Sequence, residues 1–123
     1  MRCLISKVFQ RDIKANNLDD NYIKEILGDI SKGRAIPLGS KMYKIRAGKE
    51  GQGKRGGFRN IFFWKREQFI IFCLLFGKNE QDNLTPDEKK AFKILSHEYD
   101  QLTEDDIKIL IKNNTFREIE DDQ

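Results

Sequence analysis

Eight consecutive apolar residues, Phe69-Ile70-Ile71-Phe72-Cys73-Leu74-Leu75-Phe76, constrain this chain more than any other feature. A run that is apolar at every position cannot be a half-solvated strand, whose side chains alternate between core and water. It is also far shorter than the ~20 residues a membrane helix needs. Its β-branched and aromatic residues fit a strand. The reading is a central strand covered on both faces, carrying most of the core. With 38% of 123 residues apolar and 35% charged, that core must be concentrated in a few segments. A chain of this length fits one compact domain over residues 1–123, because ordinary domains hold roughly 100–200 residues.

The covers are legible on either side of the run. Leu18, Tyr22, Ile23, Ile26, Leu27 and Ile30 recur at helical spacing, with Asp19 or Asp20 as N-cap and Gly33 past the end. Thr85-Pro86-Asp87-Glu88 opens a second helix with a capping threonine, a proline in the first turn and a capping-box glutamate. Phe92, Leu95 and Tyr99 give that helix its apolar face, and Thr103 to Asp106 repeats the capping pattern before Ile107, Leu110 and Ile111. Leu4, Ile5, Val8 and Phe9 read as a first strand, 42–46 and 58–64 as two more, and the tail from Phe116 as a short last one. Residues 34–40 read as a connector. Ala47 to Gly57, with five glycines in eleven residues, reads as a loop. The expected class is α+β, a small antiparallel sheet packed against helices.

Cys3 and Cys73 lie in apolar runs and are expected to be free, buried thiols. One histidine and no Cys-x-x-C leave a zinc site unsupported. No cofactor is expected. The N-terminus has no apolar stretch long enough for a signal peptide, and no membrane segment is expected, so the reading is a cytoplasmic protein. His97 reads as a helix-face residue.

The net charge of +3 conceals a strong asymmetry. Between Lys41 and Arg66 nine cations face a single acid, Glu50, leaving +8, whereas residues 79–123 carry −7. A cationic centre of this density suits a polyanion. Tyr43, Phe58 and Trp64 are interleaved with it, and aromatic rings stack on unpaired bases. The acidic third has two open readings: solvated helix faces, or acids such as Asp105 and Asp106 that orient the protein on a partner.

Two phosphate motifs overlap in the glycine segment. Gly48-x-x-x-x-Gly53-Lys54 approaches a P-loop, and Gly51-x-Gly53-x-x-Gly56 spells a dinucleotide fingerprint. Both need a helix immediately afterwards, whose N-terminal amides hold the phosphate. Phe58-Arg59-Asn60-Ile61-Phe62-Phe63 is strand-like instead, and Arg55 stands where a P-loop has its hydroxyl. Nucleotide binding is rejected. A cationic finger is the better reading, with Lys49, Lys54 and Arg55 neutralising a phosphodiester chain and Glu50 as their local partner.

Strand alternation puts Lys44 and Arg46 on one face and Tyr43 and Ile45 on the other. If the strands are antiparallel neighbours, Lys44, Arg46, Arg59 and Lys78 converge. Clustered cations stabilise the extra charge of a pentacoordinate phosphate. They also lower one another's pKa, which suits a lysine to act as a base.

At these residues a family resemblance emerges. Tyr43-Lys44-Ile45-Arg46, Gly53-Lys54-Arg55-Gly56-Gly57-Phe58-Arg59, Phe76-Gly77-Lys78-Asn79-Glu80 and Asn83-Leu84-Thr85-x-x-Glu88 resemble, in order, the signature of the RelE/ParE superfamily of type II toxins. The HigB-like branch shares the GKRGG-x-R loop and the GKNE strand end. The resemblance spans about 42–88. It implies a RelE-like, microbial-RNase-like sheet and ribosome-dependent cleavage of mRNA in the A site by attack of the 2′-OH, without a metal. It also implies a cognate antitoxin, usually with a helix-turn-helix domain, through which alone the toxin meets operator DNA. Lys44, Arg46, Arg59 and Lys78 match the family's catalytic basic positions, and Tyr43, Lys49, Lys54 and Arg55 are the expected RNA-binding residues. Asn79 and Thr85 depart from the best-characterised branch, which has an arginine and a tyrosine there, and Lys54 or Arg55 is expected to compensate. The alternative readings are a non-catalytic nucleic-acid-binding regulator and a ParE-like toxin directed at gyrase. The full basic set favours RNA over the latter.

Overall fold

The computed structural model describes residues 1–49, 53–77 and 84–120, with the side chains of 48, 49 and 53–56 left undescribed. The chain runs β1 (Arg2–Ser6), α1 (Lys7–Ala15), α2 (Asp20–Ser31), β2 (Ile36–Gly39), β3 (Met42–Lys49), β4 (Gly53–Lys65), β5 (Phe69–Gly77), α3 (Pro86–Asp100), α4 (Glu104–Lys112) and β6 (Phe116–Ile119). The strands form one sheet in the order β2-β3-β4-β5-β1-β6. The class is α+β as expected, but the sheet is mixed. β1 lies parallel to β5, and every other pairing is antiparallel.

The apolar run is β5, an interior strand between β4 and β1. Its Ile70, Phe72 and Leu75 face α1 and α2, with Phe9, Ile13, Tyr22, Ile23, Ile26 and Ile30. Its Phe69, Ile71, Cys73 and Phe76 face the other layer, with Tyr99, Ile107 and Phe116. Phe9 and Phe62 bracket Phe72 at ring separations of 5.1 and 5.4 Å. Burying a side chain of this size contributes about 1.5–3 kcal/mol. Both cysteines are free and buried, and desolvation pushes the Cys73 thiol up to about 12.

Several local expectations give way to packing. Val8 and Phe9 belong to α1, not to a first strand, because Ser6 ends β1 and caps α1, its hydroxyl accepting from Phe9 N at 3.2 Å. The same hydroxyl donates to Cys73 O at 3.3 Å, and Asp12 Oδ2 accepts from Leu75 N at 3.5 Å. Those two bonds serve β5 beyond Phe72, the last residue paired with β1, and beside the register shift where Phe62 opposes Phe72 and Ile61 opposes Leu74. The stretch read as a connector contributes the edge strand β2, whose proline suits an edge because it has no N–H to donate. Most of the glycine segment is ladder rather than loop. β3 reaches Lys49 and β4 starts at Gly53, with Lys49 paired to Gly53.

The capping signals hold. Asp19 accepts from Asn21 N at 3.0 Å, and both Thr85/Glu88 and Thr103/Asp106 form complete capping boxes. No helix among the described residues is long and apolar enough to cross a membrane.

Candidate nucleic-acid interface

The site is set by the register of β3 and β4. Arg46 lies directly opposite Arg59, and Lys44 opposite Ile61. On its other side Arg59 faces Phe76 of β5. Residues directly opposite in a ladder project to the same face. Lys44, Arg46 and Arg59 therefore share the α3/α4 side of the sheet with Met42, Ile61, Phe63 and Phe76. Arg59 is only 1% exposed, Lys44 is half-buried and Arg46 is exposed. A strand over 58–64, as read from the sequence, would put Arg59 at its start. Instead Arg59 sits mid-way along β4, with ladder pairs both before and after it.

Two arginines in direct cross-strand register repel one another, and burying one adds a desolvation cost.

The opposite face holds β4 in place. Tyr22 Oη of α2 donates to Asn60 Oδ1 at 2.8 Å, and Asn60 Nδ2 donates to Ile45 O at 3.3 Å, all in the buried interior. Burial pushes the Tyr22 hydroxyl well above its ordinary pKa. Asn60 adjoins Arg59, so this buried bond fixes the strand position on which the arginine depends. Sequence reading missed it, because a buried asparagine inside an apolar strand carries no local signal.

The cationic block is divided by the fold. Lys41 and Lys65 both reach Asp100 at the C-terminal end of α3, at 2.8 and 3.3 Å, and Lys65 Nζ also donates to Asp100 O at 2.9 Å. The Lys41 ammonium, with Lys65 behind it, holds the Asp100 carboxyl below the usual carboxylate range. Arg66 stacks over Trp64 at 4.4 Å. These three cations sit at the end of the β3–β4 hairpin remote from Lys49 and Gly53, so the block from Lys41 onward is not one surface.

Tyr43 is not with the basic face. It lies on the α1/α2 side, stacked on Phe62 at 5.6 Å and edge-on to Trp64 at 5.3 Å. Sequence alternation itself puts it opposite Lys44, and the structure gives its ring a packing role. The backbone of Lys49, Lys54 and Arg55 continues the β3–β4 ladder beyond Arg46, but their side chains lie outside the described residues, as do Glu50, Lys78 and Asn79. Gly77, which precedes Lys78, pairs with Phe58 next to Arg59. β4 runs as strand from Gly53 to Lys65, so the phosphate motifs lack their helix, as argued from sequence. His97 is exposed on α3, 3.0 Å from Gln101 Nε2.

The acidic third has a structural use that neither reading of its charge includes: Arg2 bonds Glu104 and Glu118. Asp106 completes the capping box of α4, as its spacing from Thr103 predicts. Asp105 is exposed. Among the described residues no three His, Cys, Asp or Glu side chains cluster as metal ligands do.

A family model described as the RelE toxin of RelE/RelB toxin–antitoxin systems matches residues 1–119. The chain belongs to the RelE toxin family. The match takes in every strand and helix among the described residues, not only the 42–88 blocks on which the resemblance rested. RelE membership makes the chain the toxin of a toxin–antitoxin pair, in a family whose toxins are generally endoribonucleases, and it implies an antitoxin partner. Arg46 and Arg59 thus face each other on the sheet of a RelE toxin.

Proposed function

We propose that this RelE toxin, of the HigB-like branch, is a ribosome-dependent endoribonuclease that cuts mRNA in the A site and so inhibits translation. One observation carries the reading: Arg46 is in direct register with Arg59, with Lys44 on the same face of the same strand. In the reaction the ribose 2′-oxygen bonds to the adjacent phosphorus and the bond from phosphorus to the 5′-oxygen breaks. The products are a 2′,3′-cyclic phosphate and a 5′-hydroxyl. Lys44, by resemblance, takes the 2′-OH proton. Arg46 and Arg59 neutralise the charge that builds on the equatorial phosphate oxygens, where preorganised donors act most strongly. Lys78 belongs to the set by its match to the family pattern and is the candidate to protonate the leaving oxygen. Lys49, Lys54 and Arg55 extend the same ladder and are assigned to flanking phosphates. The cytoplasm, where the ribosome works, is the proposed compartment, and a helix-turn-helix antitoxin the proposed partner.

The test is cleavage of mRNA on programmed ribosomes by purified protein, with 5′ ends mapped. Ends at in-frame codon positions, abolished in Lys44→Ala and Arg46→Ala, are the expected result. Translation arrest without new ends would instead support the non-catalytic binding reading. DNA damage without mRNA cleavage would support gyrase.

A further inference from the structure

The face that carries Lys44, Arg46 and Arg59 does not stop at those residues. Towards the β2–β3 turn it opens into a groove of about 270 Å³ between that turn and the first half of α3. Leu38, Met42, Leu84 and Phe92 line it, and Lys89 and Lys93 supply its cations. Ser96 Oγ donates to Ser40 O and fixes α3 against the turn, so both walls are held in place.

Three features say what the groove suits. Lys89 and Lys93 are exposed and four residues apart on α3, which sets them on one side of the helix. Neither has an ion-pair partner among the described residues, whereas Lys41 and Lys65 are both committed to Asp100. Next, the lining pairs an aromatic ring, Phe92, with apolar side chains, and Leu38 at its edge-strand wall stays 39% exposed. Finally, the groove is continuous with the basic row. Met42 and Lys44 are alternate residues on one face of β3, and Ile36 pairs directly with Lys44.

We infer that this groove is a second RNA subsite, in which one unpaired nucleotide flanking the scissile phosphate lays its base against Phe92 while Lys89 and Lys93 hold its phosphates. The inference rests on the RNA-cleaving reading above and extends it to residues outside the basic set. An acidic protein segment would also satisfy two lysines. The continuity with the Lys44–Arg46 row favours a strand of phosphates that runs from one to the other.

The test uses the full chain on ribosomes programmed with mRNA and measures the toxin concentration giving half-maximal cleavage at several salt concentrations. The double variant Lys89→Ala/Lys93→Ala should raise that concentration about fivefold or more. It should also flatten the salt dependence by ~0.7 in log–log slope for each phosphate left without its lysine. Phe92→Leu, which keeps an apolar side chain in the core, should raise it by a similar factor through weaker stacking, with the salt slope unchanged. An mRNA with an abasic nucleotide beside the cleaved codon should weaken the parent and leave Phe92→Leu no worse than it already was. If both variants match the parent while Arg46→Ala no longer cuts, the subsite is wrong and the catalytic reading stands. If the lysine variant instead loses only affinity for the antitoxin, the groove docks protein and the inference is overturned. A parent protein that cuts no mRNA overturns both.

Discussion

Arg59 is the residue whose position most needs a reason. It is 1% exposed, directly opposite Arg46 and flanked by Phe76, an arrangement that costs repulsion and desolvation together. Arg59→Met is expected to lower the cleavage rate by ~10²-fold or more. Single-turnover cleavage on ribosomes, read beside urea denaturation, measures it. A rate equal to the parent's in a folded variant would mean that the arginine is there for the fold. The buried Tyr22–Asn60 bond makes the converse case. Tyr22→Phe removes the donor and strands Asn60 Oδ1, which should cost about 1–2 kcal/mol by urea denaturation.

Among elements, β5 and α1 are tied by side-chain bonds where the β1 pairing ends. β1 pairs with β5 only as far as Phe72, and beyond it, while β4 continues to pair along the other edge, Ser6 and Asp12 side chains bond β5 in place of β1. One serine hydroxyl thereby caps α1 and satisfies Cys73 O. Ser6→Ala should cost about 1–2 kcal/mol, more than an ordinary cap, because a buried carbonyl also loses its donor. Ser6→Thr, which keeps the hydroxyl, should recover most of that loss. Thermal unfolding of the two variants side by side separates the hydroxyl's role from a change in packing.

At the scale of the whole molecule, ion pairs join distant parts of the chain. Asp100 ties α3 to Lys41 just before β3 and to Lys65 at the end of β4, Glu118 ties β6 to Arg2, and Asp20 ties α2 to Arg117. The hydrogen bond from the partner cation is the main cause that holds each of these carboxyls below its ordinary pKa. A carboxyl whose folded pKa is depressed contributes stability that is fully present above the unfolded value, about 4, and is lost as pH falls through the folded one. Stability should therefore be flat from about pH 7 to 5 and fall progressively below about pH 4. The side chains of these pairs are about a quarter to a half exposed, so each contributes under about 1 kcal/mol and less in high salt. Urea midpoints at about pH 6 and about pH 3, each in low and high salt, test the sign. A midpoint that rises on acidification contradicts these pairings.

What local chemistry dictates was legible in the sequence. Eight apolar residues in a row admit little but a strand covered on both faces, and threonine followed three residues later by glutamate or aspartate caps a helix wherever it lies. Alternation alone put Lys44 and Arg46 on one face and Tyr43 on the other, because side chains alternate along any strand. What tertiary structure decided depends on contacts between residues far apart in the chain. The direction of β1 and the edge strand at Ile36 each follow from which neighbour lies alongside. The same holds for charge. Composition counts nine cations between Lys41 and Arg66 as one block, but Coulomb attraction acts through space, and Asp100, 59 residues from Lys41 along the chain, takes two of them away from the basic face. The pairing of Arg46 with Arg59, which carries the functional reading, likewise comes from hairpin register rather than from either residue's surroundings in the sequence.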